Sequence, residues 1–151
     1  MMASRNPSKF VPGSAYTYAV TLRARHPTAD PALLTNTLKL DPAHSWKAGD
    51  PRLSQTGAHL GGQHRDSYWS APLPGQMVGT VSVALETFMS TQLLQLARHR
   101  DFLCALQADG GEISLLIEIA PLANTVITLS STMSRRLADL NIEVEIQFPG
   151  D

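Results

Sequence analysis

The chain contains a single cysteine, Cys104, among its 151 residues. An internal disulfide is excluded, and a lone thiol fits a reducing compartment such as the cytoplasm. Long apolar runs are missing too. No stretch approaches the roughly 20 apolar residues that a bilayer span requires, so no membrane role is expected. The opening "MMASRNPSKFVPGS" carries Arg5 and Lys9 with no apolar segment behind them, and so does not read as a secretory signal. Aromatics are only 6% of residues and interleave with no dense Lys/Arg cluster, which disfavours nucleic-acid binding. There is no G-x-S-x-G elbow, no P-loop and no G-x-G-x-x-G. No carboxylate pair stands out for acid–base work, and Cys104 in "FLCAL" reads as a small buried apolar group. Neither a catalytic residue nor a cofactor is expected.

What is present describes a globular chain: 43% hydrophobic and 17% charged. The length suits one domain, read as 15–149 behind a polar tail at 1–14. Net charge is −1, unevenly distributed. Residues 1–100 hold ten Lys or Arg against five Asp or Glu, a net of +5, whereas 101–151 hold two against eight, a net of −6. Such a split can mark a polar interaction surface, but the acidic residues alternate along predicted strands, as solvated faces do.

The hydrophobic periods give an order of elements. "AYTYAVTLRA" alternates, with Tyr16, Tyr18, Val20 and Leu22 on one face and Thr17, Ala19, Thr21 and Arg23 on the other, as a half-buried strand does. "TADPALLTNTLKLDP" predicts a short helix with Asp30 as N-cap and Pro31 in its first turn. Leu33, Leu34 and Leu38 form its apolar stripe, and Asp41-Pro42 its stop. Residues 41–66 keep neither period and read as an irregular loop, and "DSYWSAPLP" as a short strand. From about Ser82 a long helix is expected, with Leu85, Phe88, Met89, Leu93 and Leu96 inward, and "DFLCALQADGG" adds a helical turn ending at Gly110-Gly111. "EISLLIEIA" is a strand with Ile113, Leu115, Ile117 and Ile119 on one face. A helix capped by Ser130 or Ser131 follows, with Met133, Leu137 and Leu140 inward and Asn141 as its stop. "IEVEIQF" closes the chain, with Ile142, Val144, Ile146 and Phe148 inward and Glu143, Glu145 and Gln147 outward. These elements predict a single α+β domain: a four-stranded mixed or antiparallel sheet with helices packed on one face. Both ends read strand–helix–strand, a pattern that a degenerate duplication would produce.

The pieces "ADPALLTNTLKLDP", "SWKAGD", "SYWSA", "ISLLIEIA" and "RLADLNIEVEIQF", in this order, resemble a bacterial family known as domain of unknown function 4279. The resemblance runs from about Tyr16 to Phe148, with Phe148 where the family pattern leads one to expect Tyr. It implies the fold and carries no catalytic residue with it.

Candidate binding residues concentrate in the irregular segment. In "HSWKAGDPR", Trp46 could stack on a ligand, Lys47 and Arg52 hold an anion, and Asp50 hold an amine, with His64 and Trp69 completing a site. The preferred reading is structural: Trp46 packs inward as an anchor, Gly49 takes a positive φ, and Asp50 accepts backbone N–H bonds in the turn. His44, Asp50, His59, His64 and Asp66 supply metal-ligating types, but their spacing matches no recognised ligand pattern, and no metal is expected. Thr17, Thr21, Arg23, Glu118, Glu143, Glu145 and Gln147 would share one polar sheet face, read first as solvated surface and second as a place for a partner. The expectation for function is a non-enzymatic bacterial cytoplasmic protein that binds a protein partner or a further copy of itself, as immunity proteins bind toxins. The alternative is a small-molecule-binding or hydrolytic domain with its site in 41–66.

Overall fold

The computed structural model describes residues 16–75, 77–78, 81–121 and 126–148. The expected tail at 1–14 lies outside them. Nine strands and four helices are seen among the described residues: β1 (Tyr16–His26), α1 (Ala32–Leu38), β2 (His44–Trp46), β3 (Pro51–Leu53), β4 (His59–Gln63), β5 (Ser67–Pro72), β6 (Met77–Val78), β7 (Val81–Ser82), α2 (Leu85–Ala97), α3 (Arg100–Ala108), β8 (Glu112–Pro121), α4 (Ser131–Asp139) and β9 (Glu143–Gln147).

The main sheet has five strands in the order β2-β5-β1-β8-β9, not the expected four. The extra strand is β2, three residues inside the segment read as irregular, which no hydrophobic period could reveal because all its side chains sit on an edge. All neighbours pair antiparallel except β8 and β9, which run parallel across the α4 crossover. The topology does not support a duplication: β8 and β9 are adjacent, whereas β1 and β2 are separated by β5. The rest of 41–66 is also ordered, as the β3–β4 hairpin. Gly61 and Gly62 lie inside β4.

Alternation along β1 sends Tyr16, Val20, Leu22 and Ala24 to the covered face, where they join Trp69 and Ala71 of β5 and Ile113, Leu115, Ile117 and Ile119 of β8. The helices supply the other side of this core through Leu34 and Leu38, then Leu85, Phe88, Met89, Leu93 and Leu96, then Leu103 and Leu106, then Met133 and Leu137. Trp69 is wholly buried and donates its indole N–H to Thr35 Oγ1 at 3.0 Å, which ties β5 to α1. Because burying an unpaired indole N–H is costly, this hydroxyl is part of what makes the tryptophan tolerable there.

Local chemistry explains the helix ends. Asp30 Oδ1 accepts from Ala32 N at 3.0 Å, the expected cap. Lys39, in the left-handed region at φ 57°, ends α1 before Asp41-Pro42 is reached. A seven-residue helix buries one narrow stripe, so Leu34 and Leu38 pack while Leu33 stays 51% exposed. The long helix expected from Ser82 begins at Leu85 and breaks at Arg98 and His99 into α2 and α3. α3 closes where Gly111 N donates to Leu106 O at 2.8 Å, with Gly110 at φ 98°. A Cβ on Gly111 would fall 2.6 Å from that same carbonyl oxygen. Ser130 Oγ accepts from Met133 N at 3.1 Å and caps α4, and Asn141 at φ 52° follows it. Along the closing segment that contains β9 the inward assignment holds for Ile142 and Val144 but not beyond: Ile146 is 42% and Phe148 59% exposed, because this edge outruns the helix layer.

Candidate functional site

The helices cover one face of the sheet, and the other is open. The residues alternating with the core positions all point there: Thr17, Thr21, Arg23 and Arg25 of β1, Ser114, Glu112 and Glu118 of β8, and Glu143, Glu145 and Gln147 of β9. The polar face inferred from the sequence is therefore assembled, and it is longer than inferred. His44 and Trp46 of β2 and Tyr68 of β5 extend it past β1, since Trp46 lies opposite Tyr68 and Tyr68 opposite Arg25.

These residues line a groove of about 500 Å³, with Arg23 and Arg25 at its centre, His44, Trp46 and Tyr68 on one wall, and Glu112, Glu143 and Glu145 on the other. The aromatic wall is built by stacking. Trp46 packs against Tyr68 at a centroid distance of 4.8 Å on one side and against the His64 ring at 4.2 Å on the other. Trp46 does anchor the hairpin, then, but it does so on the open face and remains half-buried, a correction to the expected inward packing. The guanidinium of Arg25 lies 5.7 Å from the Tyr68 centroid, within cation–π range. Arg23 pairs with Glu145, two strands away, over the intervening β8.

The other sequence candidates are placed as follows. Asp50 Oδ2 accepts from Lys47 N at 2.8 Å, while Gly49 N donates to His64 O and His64 N to Asp50 O, each at 2.9 Å. Gly49 holds φ 92°, so the turn has the form expected of it and delivers His64 to the Trp46 ring. Lys47 and Arg52 are exposed and do not line the groove. Trp69 lies on the covered face and cannot meet Trp46 across the sheet. Among the described residues, no three of His, Cys, Asp and Glu converge as metal ligands would.

Sequence reasoning missed Arg25, Tyr68, Glu112 and Ser114, and weighed His44 only as a metal ligand, not as part of this face. Arg25 and Glu112 were within reach: continuing each strand's alternation by one step places both outward. His44 and Tyr68 were not, because their place depends on the pairing of β2 with β5.

Titratable groups on the covered face have other roles. His26, buried, receives the amides of Thr28 and Ala29 on Nδ1 at 3.0 and 2.9 Å, so Nε2 carries the proton that reaches Asp109 Oδ2 at 3.1 Å. This ties the end of β1 to the end of α3. Tyr18 donates its phenol to Val83 O, and Tyr16 OH accepts from Leu85 N, so both fasten β1 to the start of α2. Burial, with Tyr16 and Glu86 adding to it, pushes the Tyr18 phenol up to about 12. Burial likewise raises Tyr16, against the hydrogen bond from Leu85.

Fold and groove together define an α+β chain that covers one face of a mixed sheet with helices and leaves the other bare and polar-aromatic. The chain belongs to the family described as Domain of unknown function (DUF4279), whose model matches residues 14–150. Neither the curated proteins nor the solved structures provide a match.

Proposed function

We propose that this is a non-enzymatic bacterial cytoplasmic protein that docks a protein partner on the open sheet face. The observation that supports this reading most is the Trp46–Tyr68 stack with Arg25 over it, at one wall of a wide polar groove. Trp, Tyr and Arg are the residue types that dominate the energy of protein–protein contacts, and they do so when clustered within a polar rim. A small-molecule site encloses its ligand more fully and with more apolar lining. Among the described residues, no helix is long and apolar enough to cross a membrane. The partner is sequestered rather than transformed, in the way immunity proteins hold their toxins. The test is affinity capture from cells of the native host with the wild-type chain and with Trp46→Ala as baits. A specific protein held by the wild type and lost with Trp46→Ala supports the reading. Capture of no specific protein, or equal capture by both, overturns it.

A further inference from the structure

We infer that β9 is a self-association edge: two copies of this chain pair antiparallel along it, with Ile146 on the two-fold axis. This inference stands apart from the docking reading, which concerns the open face and its aromatic wall. The two edges of the main sheet differ. β2 is only three residues long, too short to template another chain. β9 is five residues long, pairs with β8 alone, and keeps an unbroken register from Ser114↔Glu143 to Glu118↔Gln147. Such a regular edge presents a row of backbone N–H and C=O groups to any strand laid beside it. Edges that must stay single are blunted by a bulge, a proline or a charge on the covered side. β9 has none of these. Its covered side carries Val144 and Ile146, with Phe148 just past the strand, and the last two are 42% and 59% exposed. A second copy would bury them at the rim of the helix layer.

Charge selects both the occupant and the register. A two-fold axis normal to the sheet keeps both open faces on one side, so each residue meets one of its own face across the seam. With the axis at Val144, Glu143 of each copy would oppose Glu145 of the other, and with the axis at Glu145 that residue would oppose itself. Like charges directly opposite are destabilising. At Ile146 both conflicts vanish. Ile146 then meets Ile146, Val144 meets Phe148, and Glu145 meets Gln147, whose amide can donate to it. Glu145 is moreover already neutralised by Arg23 of its own chain. Glu143 falls past Phe148 of the second copy and opposes no glutamate. An axis at Gln147 would leave only 146–148 in the pairing. The sheet thus becomes continuous across ten strands, five from each copy. Both grooves open to the same side, with their acidic walls at the seam and their aromatic walls outermost. A seam of this length lies at the small end of protein interfaces, so the dimer should form at roughly 10–100 µM chain.

Sedimentation equilibrium of the full chain, from about 1 µM to about 1 mM, tests the association. The apparent mass should climb from 16.4 kDa towards twice that value. Ile146→Lys should raise the dimer Kd at least about tenfold while keeping the thermal midpoint, because Ile146 is already exposed. Trp46→Ala, at the opposite edge, should dimerise as the wild type does. Disulfide trapping judges the register independently. In a Cys104→Ser background, Ile146→Cys should cross-link to itself on mild oxidation, since opposed Cβ atoms begin only about 4.5–5.5 Å apart. Val144→Cys should cross-link at least about tenfold more slowly, being four residues, or roughly 13 Å, from its own copy. A wild type that stays monomeric throughout the range overturns the inference, as does dimerisation undiminished in Ile146→Lys or lost in Trp46→Ala. Equal cross-linking rates at the two cysteines overturn it too. Capture of a host protein through Trp46 is decided separately and is touched by none of these results.

Discussion

Trp46 and Trp69 sit on adjacent strands and face opposite sides of one sheet, and most of what this molecule can do follows from that difference. Trp69 is part of the covered core and depends on Thr35 for its N–H. Thr35→Val leaves that donor buried without an acceptor and should cost about 1–3 kcal/mol, read as a lower denaturant midpoint at unchanged slope. Nothing in the sequence around either tryptophan states which is buried. Trp69 shares an alternating strand with Tyr68, but the segment containing Trp46 is too short to show a period, so its face was decided by pairing with β5 alone. Tyr18 gives a pH dependence of definite sign. Its phenol rises from 10.0 to about 12 in the fold, so the folded state favours the neutral form. The associated stability is complete below pH 10 and is lost as pH climbs through 10 towards 12. Equilibrium unfolding measured across that window should show a decline that Tyr18→Phe makes shallower, and a flat wild-type profile would contradict the assignment.

The elements divide by how local their causes are. Most caps and stops were legible because they act within a few residues: Asp30, Ser130, Asn141 and the Gly110-Gly111 pair all perform the roles their chemistry suggests, whereas α1 ends at Lys39 rather than at Asp41-Pro42. Ser130→Ala should destabilise by about 1 kcal/mol through the lost bond to Met133 N. Gly111→Ala should cost more, on the order of 1–3 kcal/mol, because the added methyl meets the Leu106 carbonyl rather than a movable side chain. Thermal or denaturant melts of the two variants check the ranking. The long strands β1 and β8 were legible for a related reason, since each repeats one period over many residues. Short edge elements were not. β2, β3 and β4 are held by backbone pairing and a turn, with almost no buried side chain to leave a trace in the sequence. Leu33, Ile146 and Phe148 show the converse limit: an apolar residue in step with the pattern stays exposed where the opposing layer ends.

At the scale of the molecule, the five-stranded register converts a diffuse charge split into a surface with two distinct walls. Glu112 and Glu118 fall on β8 and Glu143 and Glu145 on β9, and the aromatic segment becomes β2 and β5, with the two arginines of β1 between them. The polar residues of this face were visible individually by alternation, whereas their assembly beside Trp46 and Tyr68 required the strand order. The central claim is that this open face, and in particular its aromatic wall, carries the binding. The most direct measurement is the affinity of the captured host protein for the wild-type chain and for Trp46→Ala, made by titration calorimetry on folded protein. Removal of this tryptophan should cost at least about 2 kcal/mol, or roughly thirtyfold in Kd. An unchanged Kd for a correctly folded Trp46→Ala chain would contradict it.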